Sequence, residues 1–344
     1  MHAPGIPGHR RWVVTPLLSA LPSPLSPGAP PLATPNGSAL AEFLLEGFSS
    51  LGPRPRMLLF AVFLSLYLLT LSGNAVIVCI IRRDRHLHTP MYFFLSLLSV
   101  SETCYSMAVI PRMLQGLLWP QLPIPLPGCA AQLFFYLTFG VNNCFLLTAM
   151  GYDRYVAICS PLRYSVIMSR AACARLAAGC LGMGLGMAIA QVTSVFGLPY
   201  CRDRVIAHFF CDVTPLLRLA CADTSANEIL TLVISVLVLV VPMGLVFCSY
   251  VFIIGTILRI ASAEGRKKAF ATCASHLTVV IVHYGCASIV YLKPKSQASP
   301  VQDRLVSVTY TVITPLLNPV VYSLRNKEVK DALLRATGRK PLSD

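Results

Sequence analysis

Apolar residues in this chain fall into seven long stretches, near residues 57–81, 91–113, 130–155, 172–196, 228–258, 269–292 and 304–324, separated by short polar segments. Each is long enough to cross a bilayer core, for which ~20 helical residues suffice. The pattern predicts an all-α membrane protein, a seven-transmembrane helix bundle. After the last stretch, SLRNKEVKDALLRA puts Val329, Leu333 and Leu334 on one helical face opposite Lys and Arg. A short amphipathic cytoplasmic helix lying on membrane lipid fits that register better than a solvated basic tail. Residues 1 to about 33 are rich in Pro, Ser, Ala and Gly without any period, so disorder is expected there. The organisation expected is a disordered amino-terminal segment over 1–56, a seven-span domain over 57–324 and a tail over 325–344.

Composition agrees with the pattern. Apolar residues make up 55% of the chain and charged residues 12%, about half the charged fraction of a soluble domain. The net charge of +14 would suit nucleic acid if the basic residues shared one face, but they sit in clusters between apolar stretches. Arg82-Arg83-Asp84-Arg85, Arg163 with Arg170 and Arg175, Arg259 with Arg266-Lys267-Lys268, and Arg325 through Lys340 all fall on one side of a seven-span topology. Basic residues on the other side are fewer and are diluted by Asp203, Asp212, Asp223 and Asp303. The positive-inside rule therefore places the amino terminus outside, and no nucleic-acid partner is expected. Pro16 and Pro22 break the apolar run after Arg10-Arg11, which argues against a cleaved signal peptide. The Asn36-Gly37-Ser38 sequon lies on the outer side, where glycosylation occurs.

That topology divides the thirteen cysteines. Cys129, Cys201, Cys211 and Cys221 are expected in the oxidising outer compartment, where four cysteines allow two disulfides in three connectivities. Others, such as Cys79, Cys144, Cys180, Cys248 and Cys286, are scattered within spans and read as small apolar core residues. His208, His276 and His283 raise the question of a metal, yet no full ligand set stands at diagnostic spacing, and packed or hydrogen-bonded histidine is the expectation.

Three features carry chemistry. Asp153-Arg154-Tyr155 ends the third span at the inner boundary, where a charged pair is expensive to desolvate. Asn74, Glu102 and Asn318 are polar groups inside three different apolar spans. Pro242 and Pro319 each remove a backbone donor from a spanning helix, and Pro319 sits beside Tyr322, a weakened helix next to a movable phenol. No internal repeat supports a transporter or channel, and Glu102 is the one midplane acid. No nucleophile–base pair, metal signature or phosphate loop supports an enzyme.

Beyond this point the residues carry a resemblance. Gly73-Asn74, HTPMYFFLSLLSVSETCYS at 88–106, MGYDRYVAICSPLRY at 150–164, HFFCDVTPLLRLACADTSANE at 208–228, Ser249-Tyr250, KAFATCASHL at 268–277 and PLLNPVVYSLRNKEVKDAL at 315–333 resemble, in order, an odorant receptor. The chain looks like the class II, tetrapod-type branch of the rhodopsin-like G-protein-coupled receptors over about residues 34–335. Its first 33 residues exceed the usual amino terminus, and Leu97, Ser160 and His283 stand where the family more often has Asn, His and Phe.

The resemblance implies a plasma-membrane receptor, not an enzyme, that binds a small volatile odorant and activates a stimulatory olfactory-type G protein to raise cyclic AMP. It implies coupling and activation roles for Asp153, Arg154, Tyr155, Tyr250, Asn318, Pro319 and Tyr322. It also implies a polar core of Asn74, Glu102 and Asn318 able to hold a sodium ion, with no other cofactor, and disulfides pairing Cys129 with Cys211 and Cys201 with Cys221. The family binds odorants at the outer levels of spans three, five and six. Counting back about five turns from Arg154 puts Tyr136 on the same face, with Leu137, Gly140 and Val141 below it. Ile234, Ser235 and Val238 lie above Pro242, and Tyr284, Ser288 and Tyr291 share a stripe of the sixth span. These ten residues are the expected ligand pocket.

Overall fold

The computed structural model describes residues 42–49, 51–119, 121–201, 204–292, 307–325 and 327–336. Seven spanning helices follow one another: α1 (Pro53–Arg83), α2 (Pro90–Leu118), α3 (Leu126–Cys159), α4 (Arg170–Phe196), α5 (Ser225–Leu258), α6 (Ala263–Tyr291) and α7, whose described part runs over 307–325. An amphipathic helix, α8 (Lys327–Ala336), ends the described chain. The helix starts follow from local chemistry. Proline, which needs no donor there, stands in the first turn of α1, α2 and α3. Ser169 and Ser262 cap α4 and α6 by accepting backbone N–H bonds from Ala172 and Gly265.

Helix α3 lies at the centre, packed against α2, α4, α5 and α6, while α1 packs on α2, α7 and α8. Helix α8 is tied to the inner ends of its neighbours. Tyr92 donates to Glu328 at 2.6 Å, and Arg335 reaches Asp84 at 2.6 Å. The guanidinium of Arg335, together with the His86 backbone N–H, holds the Asp84 carboxyl down at about 2. Val329 and Ala332 turn inward and Leu333 is exposed, so the apolar face expected of Val329, Leu333 and Leu334 is divided between protein and membrane.

In lipid every backbone carbonyl freed by a proline must find another donor. Pro319 cannot donate to the carbonyl of Pro315, four residues earlier, and Asn74 Nδ2 of α1 fills that place at 3.3 Å. Gly73 makes the approach possible, because a Cβ there would lie 2.9 Å from the Pro319 ring. The Gly-Asn pair of α1 and the Asn-Pro pair of α7 are thus one joint. The helices that carry Pro242 and Pro315 also widen into a π turn, over Val236–Val240 just before Pro242 and Thr309–Ile313 just before Pro315.

The end of the bundle that the loop charges would place outside, called the outer end below, is closed by a small sheet. Strand β1 (Glu42–Leu45) pairs antiparallel with β2 (Leu122–Pro125), Phe43 opposite Ile124, and parallel with β3 (Val205–Ile206), Leu44 opposite Val205. This corrects the expectation of disorder through residue 56. Phe43 and Leu45 alternate inward, and Phe43 meets Tyr200 edge-on at 5.3 Å, so this short run has a buried face. Gly47 lets the chain press on Phe209, since a Cβ would come within 2.6 Å of it. Residues 1–41, with Asn36 among them, lie outside the described residues.

Replacing Asn74 by Ala leaves the Pro315 carbonyl without its donor, at a cost of about 1–3 kcal/mol. Replacing Gly73 by Val drives a branched side chain into the Pro319 ring. Both variants are expected to melt at lower temperature in detergent, as measured by a thiol-reactive dye that reports buried cysteines on opening.

Candidate functional site: an outer cavity and an inner polar latch

A cavity of about 70 Å³ lies under the outer sheet, and its walls are almost wholly apolar. From α3 it receives Tyr136, Leu137, Gly140 and Val141, and from α5 Ile234, Ser235 and Val238. Tyr291 completes the eight expected residues that line it. Tyr284 and Ser288 do not. The Tyr284 hydroxyl donates to the Cys144 carbonyl at 2.6 Å and lies 3.0 Å from Thr148 Oγ1, which turns it toward the α3 backbone. The face of α6 that meets the cavity is rotated by one residue, so Ala287 takes the place expected of Ser288.

Other wall residues come from helices the sequence did not connect to the pocket. Tyr105 of α2 and Tyr310 of α7 sit at 6.2 Å, edge to face, and Tyr105 is 5.4 Å from Tyr136. Gln191 and Met187 enter from α4 and Cys144 from the floor. Cys144 Sγ lies 3.3 Å from His283 Nε2. The one signal in the sequence was their residue type, a Tyr or Gln inside an apolar span, and this does not reveal which way the helix turns.

The lid is fastened over this space. Cys129 at the top of α3 bonds to Cys211, and Cys201 bonds to Cys221, the pairing expected from the resemblance. Gln132 accepts from the Cys211 backbone N–H at 3.0 Å and donates to Ala108 O at 3.0 Å, joining lid, α3 and α2. Phe210 packs on Tyr136 at 4.9 Å, and Val213 reaches the cavity itself. His208 is stacked on Phe209 at 4.3 Å. Between Cys211 and Val213, Asp212 is buried, and desolvation pushes its carboxyl up to about 6 although it accepts the Val213 N–H.

At the inner end the expected charge pair is not an ion pair. Asp153 accepts a hydrogen bond from Tyr164 at 2.8 Å, and it forms no hydrogen bond or ion pair with Arg154. Neighbouring residues on a helix point about 100° apart, so consecutive side chains do not face each other. Tyr155 packs edge-on against Phe252 of α5 at 6.1 Å.

His276, fully buried, bridges three helices. Its Nε2 lies 3.0 Å from Leu147 O of α3 and its Nδ1 2.8 Å from the Tyr250 hydroxyl of α5. A carbonyl only accepts, so Nε2 carries the proton and Nδ1 accepts from Tyr250. This polar latch pins α6 to α3 and α5. Among the described residues no group of three or more His, Cys, Asp or Glu is placed to hold a metal. In the polar core Asn74 and Glu102 are fully buried. Pro319 lies against Gly73, while the side chains of Asn318 and Tyr322 lie outside the described residues.

Seven spanning helices, a disulfide-pinned outer lid and a DRY triplet at the inner end define the class, the rhodopsin-type receptors. The fold matches squid rhodopsin with a TM-score of 0.63 at 17% identity, over 84% of this chain and 87% of that one. The family model for olfactory receptors matches residues 63–340. The chain is 68% identical to human olfactory receptor 10J4 over 90% of this chain and 99% of that protein. It is 71% identical to human olfactory receptor 10J3 over 81% and 85%, and 62% identical to mouse olfactory receptor 10J5 over 88% and 98%. The chain belongs to the olfactory receptor family, a family of multi-pass membrane receptors and not of enzymes.

Asp212 supplies a pH test. Its carboxyl rises from 3.8 to about 6 on folding, so the folded state favours the protonated form. Stability is then highest at and below pH 4, falls as pH rises through 6 and stays lower above it, by on the order of 1–3 kcal/mol. Asp212→Asn is expected to flatten that fall while keeping an acceptor for the Val213 N–H, as read by thermal melting across this range.

Proposed function

We propose that this receptor binds a small, mainly apolar odorant in the outer cavity and activates a stimulatory olfactory-type G protein, raising cyclic AMP. It does so in the plasma membrane with its amino terminus extracellular, the orientation favoured by the basic clusters around Arg82, Arg163, Arg266 and Arg335. The observation that carries the reading is the aromatic-walled cavity between the same helices, α3, α5 and α6, that the His276 latch joins about three turns further in. A space of about 70 Å³ is smaller than the ~150 Å³ that holds a benzene ring in an engineered apolar cavity. A ligand larger than a few heavy atoms therefore has to move the walls, and wall movement is what an agonist must accomplish.

The mechanism is a population shift. Odorant packed against Tyr291, Ala287 and Val238 favours an arrangement of α5 and α6 in which Tyr250 and His276 part from α3. The inner cleft opens there, and Arg154, free of any bond to Asp153, meets the G protein. The π turn over Val236–Val240 supports this reading, since it sits in α5 at the cavity and next to Pro242, where the helix deforms most readily. A sodium ion would suit the polar core, where Glu102 is fully buried and Asn74 Oδ1 is buried without a hydrogen-bond partner. Such a set of hard oxygen donors stabilises a small cation.

In cells carrying an olfactory G protein, a panel of volatiles is expected to yield a cyclic-AMP response that Arg154→Ala abolishes at equal surface level. Full signalling by that variant would sink the proposed coupling. Val141→Phe, which fills the cavity, is expected to lose the response to the active volatile by tenfold or more in potency, ~1.4 kcal/mol, while surface staining stays unchanged. A response untouched by that substitution would place the odorant elsewhere.

A further inference from the structure

A second and larger hollow, about 680 Å³, opens sideways between α3, α4 and α5 in the inner half of the bundle. Its walls are mainly apolar, with Phe145 and Ala149 from α3, Leu176 and Met183 from α4 and Leu245 from α5, beside the hydroxyls of Thr148 and Ser249. Gly179 leaves it open toward the bilayer, for a Cβ there would meet nothing within 4 Å. At its inner end stands Arg175, exposed and without an ion pair among the described residues. Arg163 and Arg170, exposed and likewise without ion pairs among the described residues, lie toward the same inner surface. Arg175 to Met183 spans about 12 Å along α4, the reach of part of an acyl chain.

We propose that this groove binds an anionic phospholipid of the cytoplasmic leaflet, its phosphate at Arg175 and one acyl chain along Leu176, Gly179 and Met183. The assignment rests on the orientation proposed above, which puts the start of α4 at the cytoplasmic surface. Charge chooses the occupant: a cation with no carboxylate beside it, at the mouth of an apolar trough, complements a molecule with an anionic head and an apolar tail. The groove also touches the coupling machinery. Ile167 forms part of its wall and belongs to the short helix Tyr164–Ile167, whose Tyr164 holds Asp153 at 2.8 Å. A lipid seated on Ile167 stabilises that helix and with it the Tyr164–Asp153 bond.

The test is native mass spectrometry of the full-length receptor, extracted from mixed phosphatidylserine and phosphatidylcholine vesicles, counting retained lipids. Wild type is expected to keep phosphatidylserine over phosphatidylcholine. Arg175→Gln should lower phosphatidylserine retention about fivefold, as expected for one surface cation, and Arg175→Lys should restore it. Gly179→Phe, which fills the trough, should lower retention of both lipids. Phosphatidylserine held equally by wild type and Arg175→Gln would overturn the proposal. So would a receptor dimer that Gly179→Phe dissociates with no change in lipid count, which would make a second copy the occupant. A receptor that retains phosphatidylserine as described yet never raises cyclic AMP would contradict the proposed function and leave this site standing.

Discussion

A bilayer offers no water to a backbone group that has lost its partner, and that constraint shapes the whole molecule. Proline in a spanning helix creates such orphans, and α5 and α7 answer them in different ways. Asn74 reaches across from α1 to the carbonyl of Pro315, and Gly73 gives way to the Pro319 ring. Before Pro242 and Pro315 the helices widen into π turns. The joints that result are places where α5 and α7 bend with little loss of bonding, and both π turns supply walls of the outer cavity through Val238, Leu239 and Tyr310. The feature that makes these helices awkward to build also makes them movable where a ligand would sit.

Rigidity lies elsewhere. The outer end is held by two disulfides, a three-stranded sheet and the Gln132 bridge. The base of α1 and α2 is clasped by α8 through Tyr92–Glu328 and Asp84–Arg335. Between these fixed ends, α6 is joined to α3 by a few polar contacts: Tyr284 to the Cys144 carbonyl, and His276 to Leu147 and, through Tyr250, to α5. A small number of hydrogen bonds in a low dielectric makes a two-state element, since they break together when the helix moves.

Much of this was legible in the sequence, and the limits have physical causes. Span ends coincide with Pro53, Pro90 and Ser169, whose capping chemistry is local. Positions on α3 could be counted because an unbroken helix keeps its phase, which is why Tyr136 and Gly140 reach the cavity, and Ile234 and Val238 of α5 reach it at the edge of and within the π turn. On α6 the choice between adjacent faces depends on what α3 presents, and that displaced Tyr284 and Ser288. Tyr105 and Tyr310 needed knowledge of which helices meet, and β1 needed partners about eighty and a hundred and sixty residues away. The Asp153-Arg154-Tyr155 triplet invited an ion pair that the structure does not form, because consecutive side chains point apart and Tyr164, eleven residues on, takes the carboxylate instead.

The claim on which the account turns is that His276 holds α6 against α3 in the resting receptor. It is tested most directly by the distance between spin labels at the exposed inner positions Leu162 and Lys267, read by double electron–electron resonance in wild type and in His276→Ala. Removal of the imidazole is predicted to shift the distribution to longer distances without ligand. An unchanged distribution in a folded His276→Ala receptor would contradict the latch.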